Sequence, residues 1–255
     1  MSELQAGRSS GRLDAGEQRR SAVGVDLLIA AVGFCVLVSL PFLFSSKALV
    51  DFVIRCAAYS LFATSLNLLV GYTGLISFGH GMFFGLGAYS FGLLMQRTGL
   101  SIPAAFVLTL LISAVAGLVI GAICVRLKEI YFAFVTLAFQ MLIHSIILSW
   151  QPLTGGDQGL RGGIPRPVFL GIDLGNQLHL YITSCALLVV GLLLMRQIAQ
   201  SPFGYTLRMV RDNALRASFI GINVWRVKLA VFVLAGMFAS VGGVIMSLFV
   251  SGAYP

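Results

Sequence analysis

Charge is what this sequence is short of. Only 10% of its residues are Asp, Glu, Lys or Arg, while 58% are hydrophobic. A water-soluble globule cannot dress its surface at that ratio, so a soluble fold is excluded. Acids are scarcest of all, nine in 255 residues, and Asp26, Asp51 and Glu129 fall near the ends of apolar runs rather than inside them. A secondary transporter or channel that works alone needs an intramembrane coupling group, which leaves that class as the alternative with little behind it. Histidines number three, and His80, His144 and His179 offer no facing pair that would hold a haem. The four cysteines (Cys35, Cys56, Cys124, Cys185) fall in four different apolar segments, where cysteine packs as a small hydrophobe. Neither a disulfide framework nor a metal site is expected. The phosphate-binding pattern G-x-x-x-x-G-K-[ST] is absent, and no catalytic dyad stands out, so we expect no enzyme.

What is present is a succession of apolar runs, and the sequence is read as an all-α, polytopic integral membrane bundle. Residues 1–22 are polar, rich in Gly, Ser and Arg and without apolar periodicity, which predicts a disordered tail. The first run, Leu27–Phe44, is longer than a signal-peptide core and no small-residue cleavage site follows it, so it stays as a span. Further spans are placed near Ala48–Val70, His80–Gln96, Pro103–Val125, Tyr131–Trp150, Leu178–Met195 and Leu229–Val250, about seven in all. The net charge of +8 does not signal nucleic acid, because the cations sit at span ends rather than in a patch. With the N-terminus cytoplasmic, twelve of the 17 Lys and Arg lie inside and five outside, the bias that sets orientation. The segment Gln151–Gln177 is then external and Ser201–Lys228 cytoplasmic.

Several spans carry readable features. Ser113, Gly117 and Gly121 form a small-residue stripe that lets a neighbouring helix come close. Ala235, Ala239 and Gly243, beside Gly236 and Gly242, repeat the device. Asp51 and Arg55, four apart, are expected to pair with each other. His144, alone inside its span, is read as a hydrogen-bonded packing residue.

Two stretches interrupt the pattern. The first, Asn67–Tyr89, holds six glycines with Thr73, Ser77 and His80 among them. Glycine costs a helix about 1 kcal/mol per residue relative to alanine, so a break is predicted here. Such a break either turns tightly for packing or exposes backbone to a cavity, as discontinuous transporter helices do. The second is Ser201–Lys228. Ser201-Pro202 reads as an N-cap followed by proline at the first helical position. Phe203, Leu207 and Val210 share one face of the helix that follows, and Arg208, Arg211 and Asp212 another. Asp212-Asn213 offers a second cap for a short helix from Ala214 to Ile220, ended by Gly221. An amphipathic pair of this kind is either a solvated connector or a docking surface for a cytoplasmic partner.

These stretches carry a resemblance. Residues 66–89 read LNLLVGYTGLISFGHGMFFGLGAY, which resembles the LNLLxGYxGxxSxGHxxFxGxGAY signature of branched-chain amino acid ABC importer permeases of the LivH/LivM type, on the LivM-like side. The Tyr131 segment YFAFVTL resembles the family's Y-x-A-x-x-T-L. The stretch from Leu153 to Pro165 resembles L-T-G-G-x-x-G-L-x-G-I-P with one extra glycine, and Ser201-Pro-Phe-Gly-Tyr-Thr-Leu-Arg and Gly221-Ile-Asn match its loop. Against the wider importer loop E-A-A-x-x-x-G only Ala217 and Gly221 keep the pattern; Leu215 and Arg216 replace the first two residues.

The resemblance implies a permease domain over residues 23–255, incomplete at its C-terminus, that works by alternating access. It implies a second permease subunit, two cytoplasmic ATP-binding subunits that bind the ATP this chain does not, and a periplasmic substrate-binding protein. The setting is the lipid of the bacterial cytoplasmic membrane, and no nucleic acid is involved. It assigns Asn67, Gly71, Thr73, Gly74, Ser77, Gly79 and His80 to the substrate pathway. It assigns Ser201, Phe203, Gly204, Arg208, Arg211, Asp212, Asn213, Ala217 and Gly221 to coupling with the ATPase. Branched-chain or other hydrophobic amino acids are the expected substrates, with urea and short amides as the alternative.

Overall fold

A computed structural model describes residues 24–41, 46–160, 163–164, 168–169 and 172–254. The expected disordered tail lies outside the described residues. The apolar runs become helices because only a helix satisfies every backbone polar group within its own segment in lipid. They are α1 (Gly24–Pro41), α2 (Lys47–Thr73), α3 (Gly81–Arg97), α4 (Ile102–Cys124), α5 (Glu129–Ser149), the single turn α6 (Gln151–Thr154) and α7 (Gln177–Gln200). The short α8 (Pro202–Asp212) and α9 (Ala214–Phe219) precede the last long helix, α10 (Val224–Val250). The strands among the described residues are two of two residues each, β1 (Val168–Phe169) and β2 (Ile172–Asp173), paired antiparallel. They mark the hairpin end of the bundle, and α8 and α9 mark the other.

Among the described residues, six helices are long and apolar enough to cross a membrane: α1, α2, α4, α5, α7 and α10. The seventh expected span, α3, has 17 residues, at the lower limit for a crossing. The reason lies in how it starts. Helix α2 ends at Thr73, capped by Gly74 at φ +72°, and the chain runs back into the bundle without helical structure before α3 begins at Gly81. His80 is by then level with Ser65, two turns up α2, where its Nε2 lies 2.9 Å from the Ser65 hydroxyl. Eight residues of helix span about 12 Å, and four extended residues cover about the same distance. The extended stretch therefore completes a crossing that α3 makes only in part.

Helix α10 is the axis of the fold, packed against α2, α3 and α4. Small residues let it in. A Cβ on Gly243 would stand 2.0 Å from the Phe84 carbonyl oxygen, and one on Gly87 of α3 2.3 Å from that of Ser240. On α4, Ser113 Oγ donates to the Gly236 carbonyl at 3.2 Å, so the stripe on each helix serves the close approach its spacing predicts. Two apolar clusters fill the ends of the bundle. One, around Phe83, Phe132 and Phe232, lies toward α8 and includes Leu207 of that helix. The other, around Phe91, Tyr181 and Ile245, lies toward the hairpin.

Two expectations about polar pairs are corrected. Asp51 does not pair with Arg55: its Oδ1 accepts from Gln177 Nε2 at 2.6 Å, and Arg55 lies over the Phe249 ring. Partners from α7 and α10 displace the neighbour on α2's own surface, since a pair on one helix gains only a few tenths of a kcal/mol. His144 is exposed among the described residues rather than buried in a packed interface.

Candidate functional site

The α8–α9 connection is held by three caps of one kind. Ser201 Oγ accepts from the Gly204 amide at 3.3 Å, Asn213 Oδ1 from that of Arg216 at 2.9 Å, and Asn223 Oδ1 from that of Arg226 at 3.1 Å. The first two stand where the sequence places them, though Asn213 alone makes the second cap; Asp212 instead faces Arg211 at 3.3 Å. The third was not foreseen, although its residue type was the available signal. At the end of α9 the Gly221 amide bonds the Ser218 carbonyl and the Ile222 amide that of Ala217, a Schellman closure with Gly221 at φ +88°.

One face of α8 is sealed against the bundle. Leu207 and Val210 are buried, Phe203 is half-buried, and a Cβ on Gly204 would lie 2.2 Å from the Ala199 carbonyl oxygen. Ala217 of α9 is buried as well. The arginines on the other face differ from expectation. Rather than pointing away as free charges, Arg208 donates to the Ala199 carbonyl at 3.2 Å and lies over Tyr72, and Arg211 donates to the Gly71 carbonyl at 2.6 Å. Both cations thus complete helix C-termini, those of α7 and α2, where carbonyls lack partners and the dipole favours positive charge. The Arg211 stem also covers Gly74, at 3.3 Å from where a Cβ would be. Among the exposed Asp212 and Arg216, large apolar side chains also project outward: Leu215 at 65% exposed, Phe219 at 79% and Ile220 at 65%, with Tyr205 and Met209 exposed on α8. These are the residues of the surface that sequence reasoning missed.

The residues assigned to the pathway separate into two groups. Asn67 is exposed and lines a cavity between α1, α2 and α7 that also holds Asp26 and Arg196, an ion pair between α1 and α7. The others follow the break. Leu75, Ser77 and Gly79 are buried while Ile76 and Phe78 are exposed, the alternation of an extended chain. Thr73 turns its hydroxyl onto the Leu69 carbonyl. Gly79 lets α5 approach so closely that a Cβ would stand 1.9 Å from the Thr136 carbonyl oxygen. His80 is wedged between the Phe62 and Phe83 rings, and its Nδ1, like Ser77 Oγ, is buried without a partner among the described residues. The break therefore packs tightly, and it leaves two buried side-chain polar atoms, Ser77 Oγ and His80 Nδ1, without a partner among the described residues.

A multi-pass helical protein with a broken crossing at its centre, and a rigid two-helix element bonded to the end of that break, has the architecture of a transport permease. The chain belongs to the family described as "Branched-chain amino acid transport system / permease component", which matches residues 48–255. Its relatives include the high-affinity branched-chain amino acid transport system permease protein LivM of Salmonella typhimurium LT2, 28% identical over 87% of this chain and 56% of that protein. LivM of Escherichia coli K12 is 27% identical over 88% of this chain and 56% of its own length. The autoinducer 2 import system permease protein LsrC of Salmonella paratyphi B is 31% identical over 60% of this chain and 42% of its own. The chain thus spans little more than half the length of the first two. No solved structure matches it.

Proposed function

We propose that the chain supplies the permease function of an ABC importer for branched-chain or other hydrophobic amino acids. It pairs with a second permease subunit, is driven by two cytoplasmic ATP-binding subunits, and receives substrate from a periplasmic binding protein. Its place is the bacterial cytoplasmic membrane with the N-terminus inside, an orientation supported by the twelve-to-five distribution of Lys and Arg. Support for the substrate class comes from the family and from the LivM relatives.

The observation that carries the reading is mechanical. The α8–α9 element is capped at each helix start, closed at Gly221, and bonded through Arg211 to Gly71, three residues before the break. An ATPase that grips Leu215, Phe219 and Ile220 moves this element as a unit, and the movement reaches α2 through Arg211 and α7 through Arg208. The pathway residues from Thr73 to His80 then shift with it. Large exposed apolar side chains in a cluster mark an interaction site. Leu215→Asp and Phe219→Asp are expected to leave permease abundance in the membrane unchanged and to lower co-purification of the ATP-binding subunits at least tenfold, a modest hot-spot effect. Undiminished co-purification would show that α9 is not the docking element.

A further inference from the structure

Between α3 and α5, toward the hairpin end, lies a cavity of about 350 Å³ that neither α8–α9 nor the break uses. Gly81, Gly85 and Tyr89 of α3 recur every four residues and so share the face that forms one wall. Gln140, His144 and Ile147 of α5 form the other, and Tyr254 lies at the edge.

Two observations separate this space from a packing defect. The first concerns polar atoms. Tyr89 is 4% exposed and its hydroxyl has no hydrogen-bond partner among the described residues; Gln140 Oε1 is likewise buried and unpartnered among them. Native folds pair nearly all such atoms, so two orphans lining one cavity call for a partner. The second concerns Gly85. A Cβ there meets nothing within 4 Å, whereas Cβ atoms on Gly81, Gly87 and Gly92 of the same helix would meet atoms at 3.3, 2.3 and 2.5 Å. Those three glycines admit a neighbour, and Gly85 instead keeps the cavity wall bare.

The lining also restricts the ligand. Its described residues include no Asp, Glu, Lys or Arg, and it is open beside Met141 and Tyr254, so a ligand with net charge would find no counter-charge there. It does contain a hydroxyl, an amide and an imidazole, which together donate and accept hydrogen bonds. Met82, Met141 and Ile143 supply an apolar wall. The volume falls at the small end of ligand pockets.

We infer that this cavity is a binding station for the transported molecule, with Tyr89 and Gln140 as its polar contacts, and that its ligand is an aliphatic α-amino acid zwitterion. The Tyr89 hydroxyl donates to the carboxylate, the Gln140 amide oxygen accepts from the ammonium, and the aliphatic side chain lies against Met141 and Ile143. This rests on the permease reading, and the experiment separates the two.

The test uses the complete transporter in liposomes, with Cys35, Cys56, Cys124 and Cys185 replaced by alanine and Gly85→Cys introduced. Leucine is expected to slow alkylation of that cysteine by a small thiol reagent at least fivefold, while lysine and glutamate do not. Tyr89→Phe and Gln140→Leu, which keep the shape and remove the polar contact, are expected to raise the leucine concentration for half-protection about tenfold each. Gly85→Leu fills the cavity and is expected to stop leucine uptake at normal membrane abundance. A Gly85→Cys that is never alkylated, or is alkylated equally with and without leucine in a transporter that takes up leucine, overturns the site. Protection by urea and not by leucine overturns the ligand class. Absence of leucine uptake by the unmodified transporter overturns the permease reading itself.

Discussion

Gly79 and His80 show how single residues hold this break in place. The histidine ring fills the gap between α2 and α3, bonded to Ser65 and flanked by Phe62 and Phe83. The glycine brings the chain against the Thr136 carbonyl of α5. Gly79→Ala would force backbone atoms apart at a would-be distance of 1.9 Å, and neither side can turn away as a side chain tip could. Overpacking of this kind costs about 1–3 kcal/mol or more, so the thermal midpoint in detergent is expected to fall by several degrees. Gly33→Ala in α1, where a Cβ meets nothing within 4 Å, is the control. It is expected to hold or slightly raise the midpoint, because alanine favours the helix. Equal loss in both variants would mean that α5 does not approach Gly79 this closely. The break itself was legible in the sequence because glycine density is a local property. Which glycines serve close approach and which, like Gly85, leave open space depends on helices far away in the chain.

At the scale of elements, the α8–α9 connection is a chain of short, locally specified parts. Ser201-Pro202, Asn213 and Gly221 could be read directly, since a cap and the amide it serves lie within three residues. The arginines could not. Arg211 reaches Gly71, 140 positions earlier, and Arg208 reaches the end of the preceding span. A helical wheel places both on the polar face, and no rule of periodicity says that the face bends back to neighbouring helix ends. Rigidity is where this matters for function. Gly221 holds φ +88°, which a β-branched residue strongly disfavours at about 1–2 kcal/mol or more. Gly221→Val is therefore expected to open the Schellman closure and release α9 from α10. Permease abundance should stay near normal, while ATP hydrolysis by the associated subunits loses its response to substrate. A variant that couples normally would show that α9 need not be held at this angle.

For the molecule as a whole, orientation is the property that everything else depends on. The hairpin end and the α8 end are opposite faces of one bundle, so a single reporter pair reads the topology. A reporter active only outside the cytoplasm should be active when fused at Gly175, beyond the hairpin, and silent at Asn213, in the α8–α9 link. The reverse pattern would invert the proposed orientation and put the proposed docking surface on the wrong side of the membrane for an ATPase. The short α3 belongs to this scale too. A hydropathy count gives a seventh span, but the crossing is shared between 17 helical residues and the extended stretch before them.

The amino-acid sequence by itself determined that this protein is a helical membrane bundle, roughly where each crossing lies, where the helix breaks, and how α8 and α9 start and stop. Each of these follows from composition, period or capping, which act over a few residues and need no knowledge of the rest of the chain. The tertiary structure alone decided that α10 is the axis, that Asp51 bonds Gln177 and not Arg55, and that Arg208 and Arg211 tie α8 to α7 and α2. It alone brought Gly85 and Tyr89 of α3 opposite Gln140 and His144 of α5 around one cavity. Apart from Arg208, which reaches nine residues back to Ala199, these are contacts between segments tens of residues apart. Their partners are chosen by which helix faces meet when the small-residue stripes pack, and a linear pattern carries no record of that choice.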